Sequence, residues 1–182
     1  MVINYFIFSV AFILFAYAVF RIIIKRDYKK YTKLSPVSYL LEILVFAIHV
    51  NSIYIILPTE WPDIPQIPEN QILIIVSVII FCTGTAILLL SWFNLGTKPS
   101  LGMDKDKLKT GGLYKYSRNP QLVGYGIILA SFTILFFSYL VLIWFLLYII
   151  VSYFMIKSEE EFLEKKYKED YKDYCSQAPR FF

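Results

Sequence analysis

Residues 106–124, DKLKTGGLYKYSRNPQLVG, form a polar segment set directly between two strongly apolar runs. Its Gly111-Gly112 pair permits backbone conformations closed to other residues and lets a ligand approach the main chain. Asn119-Pro120 reads as a turn leading into a helix, with Pro120 tolerated in the first helical turn. Arg118 offers a planar five-donor fork to a carboxylate or phosphate. The same segment is equally readable as a basic interfacial loop that only orients the protein in a bilayer.

Downstream lies the apolar run from Leu122 to Ile156, too long for one ordinary span and short for two. It predicts a tight helical hairpin turning near Ser138, with the second arm running on into the tail; a single very long helix is the weaker alternative. Upstream, residues 2–24, 37–57 and 71–93 are each long and apolar enough to cross a bilayer as a helix. A basic, tyrosine-bearing link suited to a headgroup interface occupies 25–33, and a stiff, proline-rich loop without lysine or arginine occupies 58–70. The third span carries the small-residue patch Cys82-Thr83-Gly84-Thr85, where another helix can pack closely. The tail from Lys157 reads as an amphipathic helix, with Phe162, Leu163, Tyr167, Tyr171 and Tyr174 at near-helical spacing. A helix of that kind lying on the membrane surface is compatible with any function.

Of the 182 residues 58% are hydrophobic and 19% aromatic, and mean hydropathy is +0.58. A soluble domain runs near about 45–50% apolar. The chain is therefore expected to be an all-α integral membrane protein of about five transmembrane helices, the last two a tight hairpin. A cytoplasmic loop and a C-terminal amphipathic helix complete it. The first run is not a signal peptide, because Arg21, Lys25 and Arg26 follow it instead of preceding it. The 18 lysines and arginines divide into Arg21–Lys33, Lys98–Arg118 and Lys157–Arg180. Five spans with the amino terminus outside put all three groups on the cytoplasmic side, together with the carboxyl terminus. An even number would scatter them. The short chain and simple layout suit a prokaryotic plasma membrane.

Several chemistries are excluded. No Cys/His cluster has metal spacing and no soluble-type phosphate loop is present, so neither a metal nor a nucleic-acid partner is expected. The only histidine, His49, falls inside a span, which disfavours a serine- or cysteine-histidine arrangement. Cys82 lies in an apolar run and Cys175 in the charged tail, so a structural disulfide is not expected. Glu42 and His49, two turns apart on one helix face, are intramembrane ionisable residues and hence candidates for function. A hydrogen bond to a neighbouring helix is the structural alternative for His49. The remaining candidates are Tyr114, Arg118 and Asn119 on the loop and Glu159-Glu160 where the last span emerges. A pocket closed by both segments pairs a guanidinium with carboxylates at the bilayer edge, although the glutamates also suit a solvated turn paired with lysines four residues on.

Residues 106–124 followed by the tail resemble the isoprenylcysteine carboxyl methyltransferase and phospholipid N-methyltransferase superfamily of integral membrane enzymes. Leu108, Thr110, Gly112 and Tyr114 match the first part of its pattern, and Arg118, Asn119, Pro120 and Gly124 the second. Glu159-Glu160, Leu163, Tyr171, Tyr174, Pro179 and Arg180 match the third. The resemblance covers about residues 94–182, a methyltransferase-like core, behind a three-span part at 1–93, within a single domain. It implies S-adenosylmethionine as methyl donor, held by Lys107, Leu108, Lys109, Tyr114, Asn119, Pro120, Leu122 and Glu159. It also implies a lipid or lipophilic acceptor. Arg118 and Glu159 are then the residues nearest the chemistry: Arg118 on the methionine carboxylate or as a brace between loop and tail, Glu159 on the ammonium group or a ribose hydroxyl.

Departures from the pattern are specific. Asp106 stands where many relatives have histidine, and Leu122 where the motif has tyrosine, which removes a ring and a hydroxyl from the expected cofactor wall. Met155 stands where the prenylcysteine enzymes place a substrate-contacting arginine, which argues against a prenylcysteine carboxylate as acceptor. Two other readings share these residues. The Gly-Leu-Tyr-Lys-Tyr-Ser-Arg-Asn-Pro stretch and the tyrosine-rich tail also resemble NADPH-dependent membrane sterol-type reductases, which are usually longer. A non-catalytic membrane scaffold with the same fold is the third.

Overall fold

The computed structural model describes residues 2–57, 65–96 and 108–182, and every regular element among them is helical. Helix α1 (Val2–Tyr17) continues through a π-helical stretch, Ala18–Ile24, into α2 (Lys25–Tyr31). The basic segment read from sequence as a link is thus helical to Tyr31. The π turn sits where Arg21 and the Phe20 carbonyl meet the last long helix, whose Ser158 hydroxyl donates to that carbonyl at 2.8 Å. Widened turns of this kind accommodate an extra interaction that a regular i→i−4 ladder has no room for.

Thr32 ends α2 in the left-handed conformation, φ 56°, and Ser35 starts α3 (Pro36–Asn51), accepting from the Ser38 amide with Pro36 in the first turn. The buried Asp27 carboxylate ties this turn together, accepting the Ser35 amide at 3.1 Å and the Ser38 hydroxyl at 2.5 Å. A 3₁₀ turn, Ser52–Ile55, extends α3. Asn70 caps α4 (Gln71–Leu95) by accepting from the Leu73 amide. Helices α5 (Pro120–Leu135) and α6 (Tyr139–Tyr167) form the hairpin, and Ser138 caps α6 by accepting from the Val141 amide. The turn falls where the sequence placed it, because a serine there starts a new helix in extended backbone. Lys168, at φ 47°, breaks the chain before α7 (Glu169–Gln177). The tail is therefore two helical pieces, the last turns of α6 and the short α7.

Among the described residues four helices are long and apolar enough to cross a membrane: Ile3–Tyr31, Pro36–Ile55, Gln71–Leu95 and Tyr139–Tyr167. The fifth, α5, has 16 residues. At about 1.5 Å per residue it spans about 24 Å, slightly less than the hydrocarbon layer. The protein is an all-helical integral membrane protein.

Two packing units make the bundle. In the first, Phe20, Val45, Trp144 and Val151 are fully buried where α1, the π stretch, α3 and α6 meet. His49 joins α3 to α6 there. Its Nε2 lies 2.9 Å from the Trp144 carbonyl, the Trp144 indole donates to the His49 carbonyl at 2.8 Å, and the rings stack at 5.0 Å. A carbonyl only accepts, so Nε2 carries the proton in this arrangement. His49 makes the helix-to-helix hydrogen bond. We expect His49→Leu to cost about 1–2 kcal/mol, read as a lower unfolding midpoint in detergent.

In the second unit α4 lies along α5, and two glycines set the distance. A Cβ on Gly84 would stand 2.8 Å from the Gly124 carbonyl, and one on Gly124 would stand 2.6 Å from the Leu88 amide nitrogen. The small-residue patch thus serves close backbone approach, at Gly84. Tyr125 on α5 joins the two units, edge-on to Phe46 at 5.9 Å and to Tyr148 at 5.3 Å. Because consecutive helices alternate in direction, the α2–α3 turn, the loop before α5 and the end of α6 all lie at one end. Arg21 and Lys25 reach Glu161 there at 2.7 and 2.6 Å.

Candidate active site

The polar loop is anchored from both sides. Gly112 opens a short 3₁₀ turn, Gly112–Lys115, at φ 62°, and a Cβ on it would stand 2.4 Å from the Asn94 side chain at the end of α4. Gly111 has open space around it. Gly112→Ala is therefore expected to destabilise by about 2 kcal/mol, combining left-handed strain with the clash, and Gly111→Ala to be neutral in the same unfolding assay.

From the loop the chain enters α5 through Ser117, Arg118 and Asn119, and the tail lies across these residues. The Arg118 amide donates to the Pro179 carbonyl at 2.9 Å. The Asn119 side-chain amide and the Ser117 hydroxyl donate to the Arg180 carbonyl at 3.1 and 3.4 Å. The Tyr174 hydroxyl donates to the Tyr114 carbonyl at 2.7 Å. Tyr171, Tyr174 and Ala178 are buried against Leu108, Leu163 and Tyr167. The apolar face of the tail thus packs on its own protein.

Glu160 is the charged centre. Arg118 Nη1 lies 3.1 Å from its Oε1, while Arg180 grips both oxygens, Nε to Oε1 at 3.0 Å and Nη2 to Oε2 at 2.8 Å. Such a two-point fork fits the planar guanidinium. Arg118 Nη1 also donates to the Tyr171 hydroxyl at 3.3 Å and to Cys175 Sγ at 2.7 Å, leaving its buried Nε–H without a partner among the described residues. Side-chain exposure is 14% for Arg118 and 16% for Glu160, so the pair is largely shielded from water. Burial, opposed by the nearby Arg118 charge, pushes the Tyr174 phenol up to about 12, and burial with the Glu160 charge pushes Tyr171 up as well. Both remain protonated at any physiological pH. Hydrogen bonding to Glu160 raises Arg180 above its ordinary value.

Beside this clasp a cavity of about 300 Å³ lies between α5, α6 and the tail. Leu122, Val123 and Gly126 form one wall, Tyr148, Ser152 and Ile156 the other, and Glu160 and Arg180 its polar end. The Tyr148 hydroxyl donates to the Leu122 carbonyl, which brings a tyrosine from α6 beside the position where the motif tyrosine is missing.

The residues singled out in the sequence are distributed as follows. Tyr114 is buried, its carbonyl engaged by the tail. Asn119 and Arg118 hold the tail; Pro120, buried, opens α5; Leu122 lines the cavity. Leu108 is half-buried in the tail cluster and Lys109 is exposed. Lys107 and Asp106 lie outside the described residues. Glu159 is half-buried and does not line the cavity, being roughly 100° around the helix from Glu160. Glu42 is half-buried on α3, also away from the cavity lining. Sequence reasoning did not separate Glu160 from its neighbour and did not single out Tyr148, Ser117 or Lys157. For Glu160 a signal existed: it continues the α6 face of Ser152, Ile156 and Lys157 at helical spacing.

Among the described residues no group of three or more histidine, cysteine, aspartate or glutamate side chains converges as a metal site would require. No curated protein and no solved structure matches the chain significantly. A family model for phospholipid methyltransferases matches residues 72–170, more than half of the 182-residue chain. The matched stretch reaches back to include α4, which carried no recognised signature, as well as the loop, both arms of the hairpin and Glu159-Glu160. The chain belongs to the phospholipid methyltransferase family.

Proposed function

We propose that the protein transfers a methyl group from S-adenosylmethionine to a lipid or lipid-like acceptor at the basic, cytoplasmic end of the bundle. The observation that carries the reading is the convergence, at that end, of loop, paired arginines, Glu160 and tail beside a mostly apolar cavity. These residues fit the amphoteric end of such a donor. Arg118 retains a buried N–H with no partner among the described residues, suited to a carboxylate, and the family resemblance assigns Glu159, which lies off the cavity lining, to the ammonium group. Leu108, Lys109, Tyr114, Asn119 and Pro120, with Lys107 preceding them, form the segment that would wrap the donor, and Leu122 leads from it into the cavity.

When bound, the donor supplies a methyl group on a sulfonium, so transfer requires in-line placement and little acid–base assistance. What the chain contributes is positioning and exclusion of water. Arg118 braces the loop against the tail and α6, and the apolar walls at Leu122, Val123 and Ile156 keep the reacting end dry. The grouping of the basic residues along the sequence supports a cytoplasmic orientation for this end, with the amino terminus outside, and the simple layout suits a prokaryotic plasma membrane.

Calorimetric titration of S-adenosylmethionine and, separately, NADPH into detergent-purified protein tests the reading. Saturable binding of S-adenosylmethionine, weakened at least about tenfold (about 1.4 kcal/mol) in Glu159→Ala and Asn119→Ala, is expected. Binding of NADPH alone would move the chain to reductase chemistry, and binding of neither would leave a scaffold.

A further inference from the structure

Arg21 reaches α6 from outside the stretch that the family model covers, residues 72–170. It sits in the π-helical stretch of the first helix, its side chain only 16% exposed. Its Nη1 donates to the Ser158 hydroxyl at 3.0 Å and its Nη2 to Glu161 at 2.7 Å. The same hydroxyl donates to the Phe20 carbonyl at 2.8 Å, so two consecutive residues of the π stretch pin one buried serine. Lys25 holds the other oxygen of Glu161 at 2.6 Å, and Tyr28, further along, stacks on Phe162 at 4.4 Å. Beyond Ile156, α6 is thus held on one side by the first helix and on another by the clasp of Arg118, Glu160 and Arg180.

Three consecutive acids make this hold consequential. Glu159, Glu160 and Glu161 are identical in charge and length, so attraction to Arg118 and Arg180 does not choose among them. One residue step turns a side chain roughly 100° about the axis, and a helix end turned by one step offers the clasp Glu159 or Glu161 instead. Ser158 removes the ambiguity. The place it occupies requires a group that accepts from the Arg21 guanidinium and also donates to the Phe20 carbonyl. A hydroxyl does both; a carboxylate only accepts and an ammonium only donates. Neither neighbour of Ser158 in the sequence, Lys157 or Glu159, satisfies that place, so the end of α6 has one rotation that answers every group.

We infer that Arg21 is a positioning residue of the site: by holding Ser158 and Glu161 on one side of α6, it makes Glu160, and neither adjacent glutamate, the carboxylate that meets the arginine pair. Arg21 lines no part of the cavity and acts on Glu160 through the helix. Its bearing on donor binding rests on the methyltransferase reading, whereas the choice of glutamate does not.

The test is a double-substitution cycle in the full chain in detergent: Arg21→Met, Glu160→Gln and the two combined. It is read as the rate of proteolysis after Gln177 and as S-adenosylmethionine affinity, at temperatures where unfolding midpoints show every variant folded. Each single substitution is expected to speed cleavage about tenfold and to weaken donor binding about tenfold, and the pair to do no more, since both act through one contact. Arg21→Met that lowers the midpoint but leaves cleavage at the wild-type rate would overturn the inference, because an ordinary structural ion pair gives that result. Effects that multiply to about a hundredfold in the pair would overturn it too, by showing that Arg21 acts independently of Glu160. Ser158→Ala keeps every charge and is expected to reproduce the Arg21→Met pattern; if Arg21→Met does not fold, the same two outcomes are read from Ser158→Ala. Absence of S-adenosylmethionine binding in the wild type would count against the methyltransferase reading, and the cleavage cycle would still decide the role of Arg21.

Discussion

Glu160→Ala is expected to lower stability by about 3 kcal/mol and to release the tail, visible as a lower unfolding midpoint and new protease sensitivity after Gln177. The reason is asymmetry. Arg180 is 44% exposed and returns to water at little cost, but Arg118 is 14% exposed and remains where it is, held by its own backbone contact to Pro179. Without Glu160 its guanidinium keeps only a phenol and a thiol. A buried charge that loses its counter-charge costs more than the pair contributed. The double variant Glu160→Leu with Arg118→Met should recover much of the loss, since both charges are gone. If the double variant proves less stable than Glu160→Ala alone, the orphaned charge is not the cause. S-adenosylmethionine binding should weaken at least about tenfold in Glu160→Ala, because the loop from Ser117 to Asn119 loses its tail contacts with Arg180.

Gly124→Leu should be comparably damaging, by about 3 kcal/mol, through packing alone. Its Cβ would stand 2.6 Å from the Leu88 amide nitrogen and 3.0 Å from the Leu88 Cα, both backbone atoms that cannot swing aside. The two helices must separate along their whole contact, and α4 has few other attachments in the bundle. Leu122 and Val123 immediately precede this glycine, so the cavity wall moves with it. Gly126→Ala is the control: its Cβ would meet the Tyr148 ring at 3.0 Å, a side chain that can yield, and the cost should stay below about 1 kcal/mol. Unfolding midpoints of the two variants, measured side by side in one detergent, check the ordering. Equal effects would show that the glycine crossing does not set the α4–α5 distance.

Much of the architecture follows from local rules that need no partner. Apolar length marks the spans, Ser138 and Asn70 start helices by offering a side-chain oxygen to a free amide, and Pro120 tolerates only a first turn. The grouping of the basic residues predicts that loop and tail share one end, and they do. The family itself was likewise legible, from the stretch around Arg118-Asn119-Pro120 and Glu159-Glu160 that the family model also covers, because such a resemblance depends on residue type and order.

Which neighbour does what was not legible there. Glu159 and Glu160 are chemically alike and adjacent, and a one-residue step turns the side chain roughly 100° around the axis. Their difference is the rotation of α6, and that rotation is set from afar, by Trp144 and Val151 packing into the core and by Ser158 bonding to Phe20 in the π turn. The same holds for the tail. Its tyrosines have the spacing of a surface helix, but the left-handed break at Lys168 folds them back onto Leu108 and Leu163. The first helix likewise runs on to Tyr31, and Arg21 and Lys25 along it meet Glu161 on α6. Sequence by itself determined the elements, their order and the end of the bundle that carries the polar chemistry. The tertiary structure decided which faces meet, because helix rotation is set by packing between segments far apart in the chain.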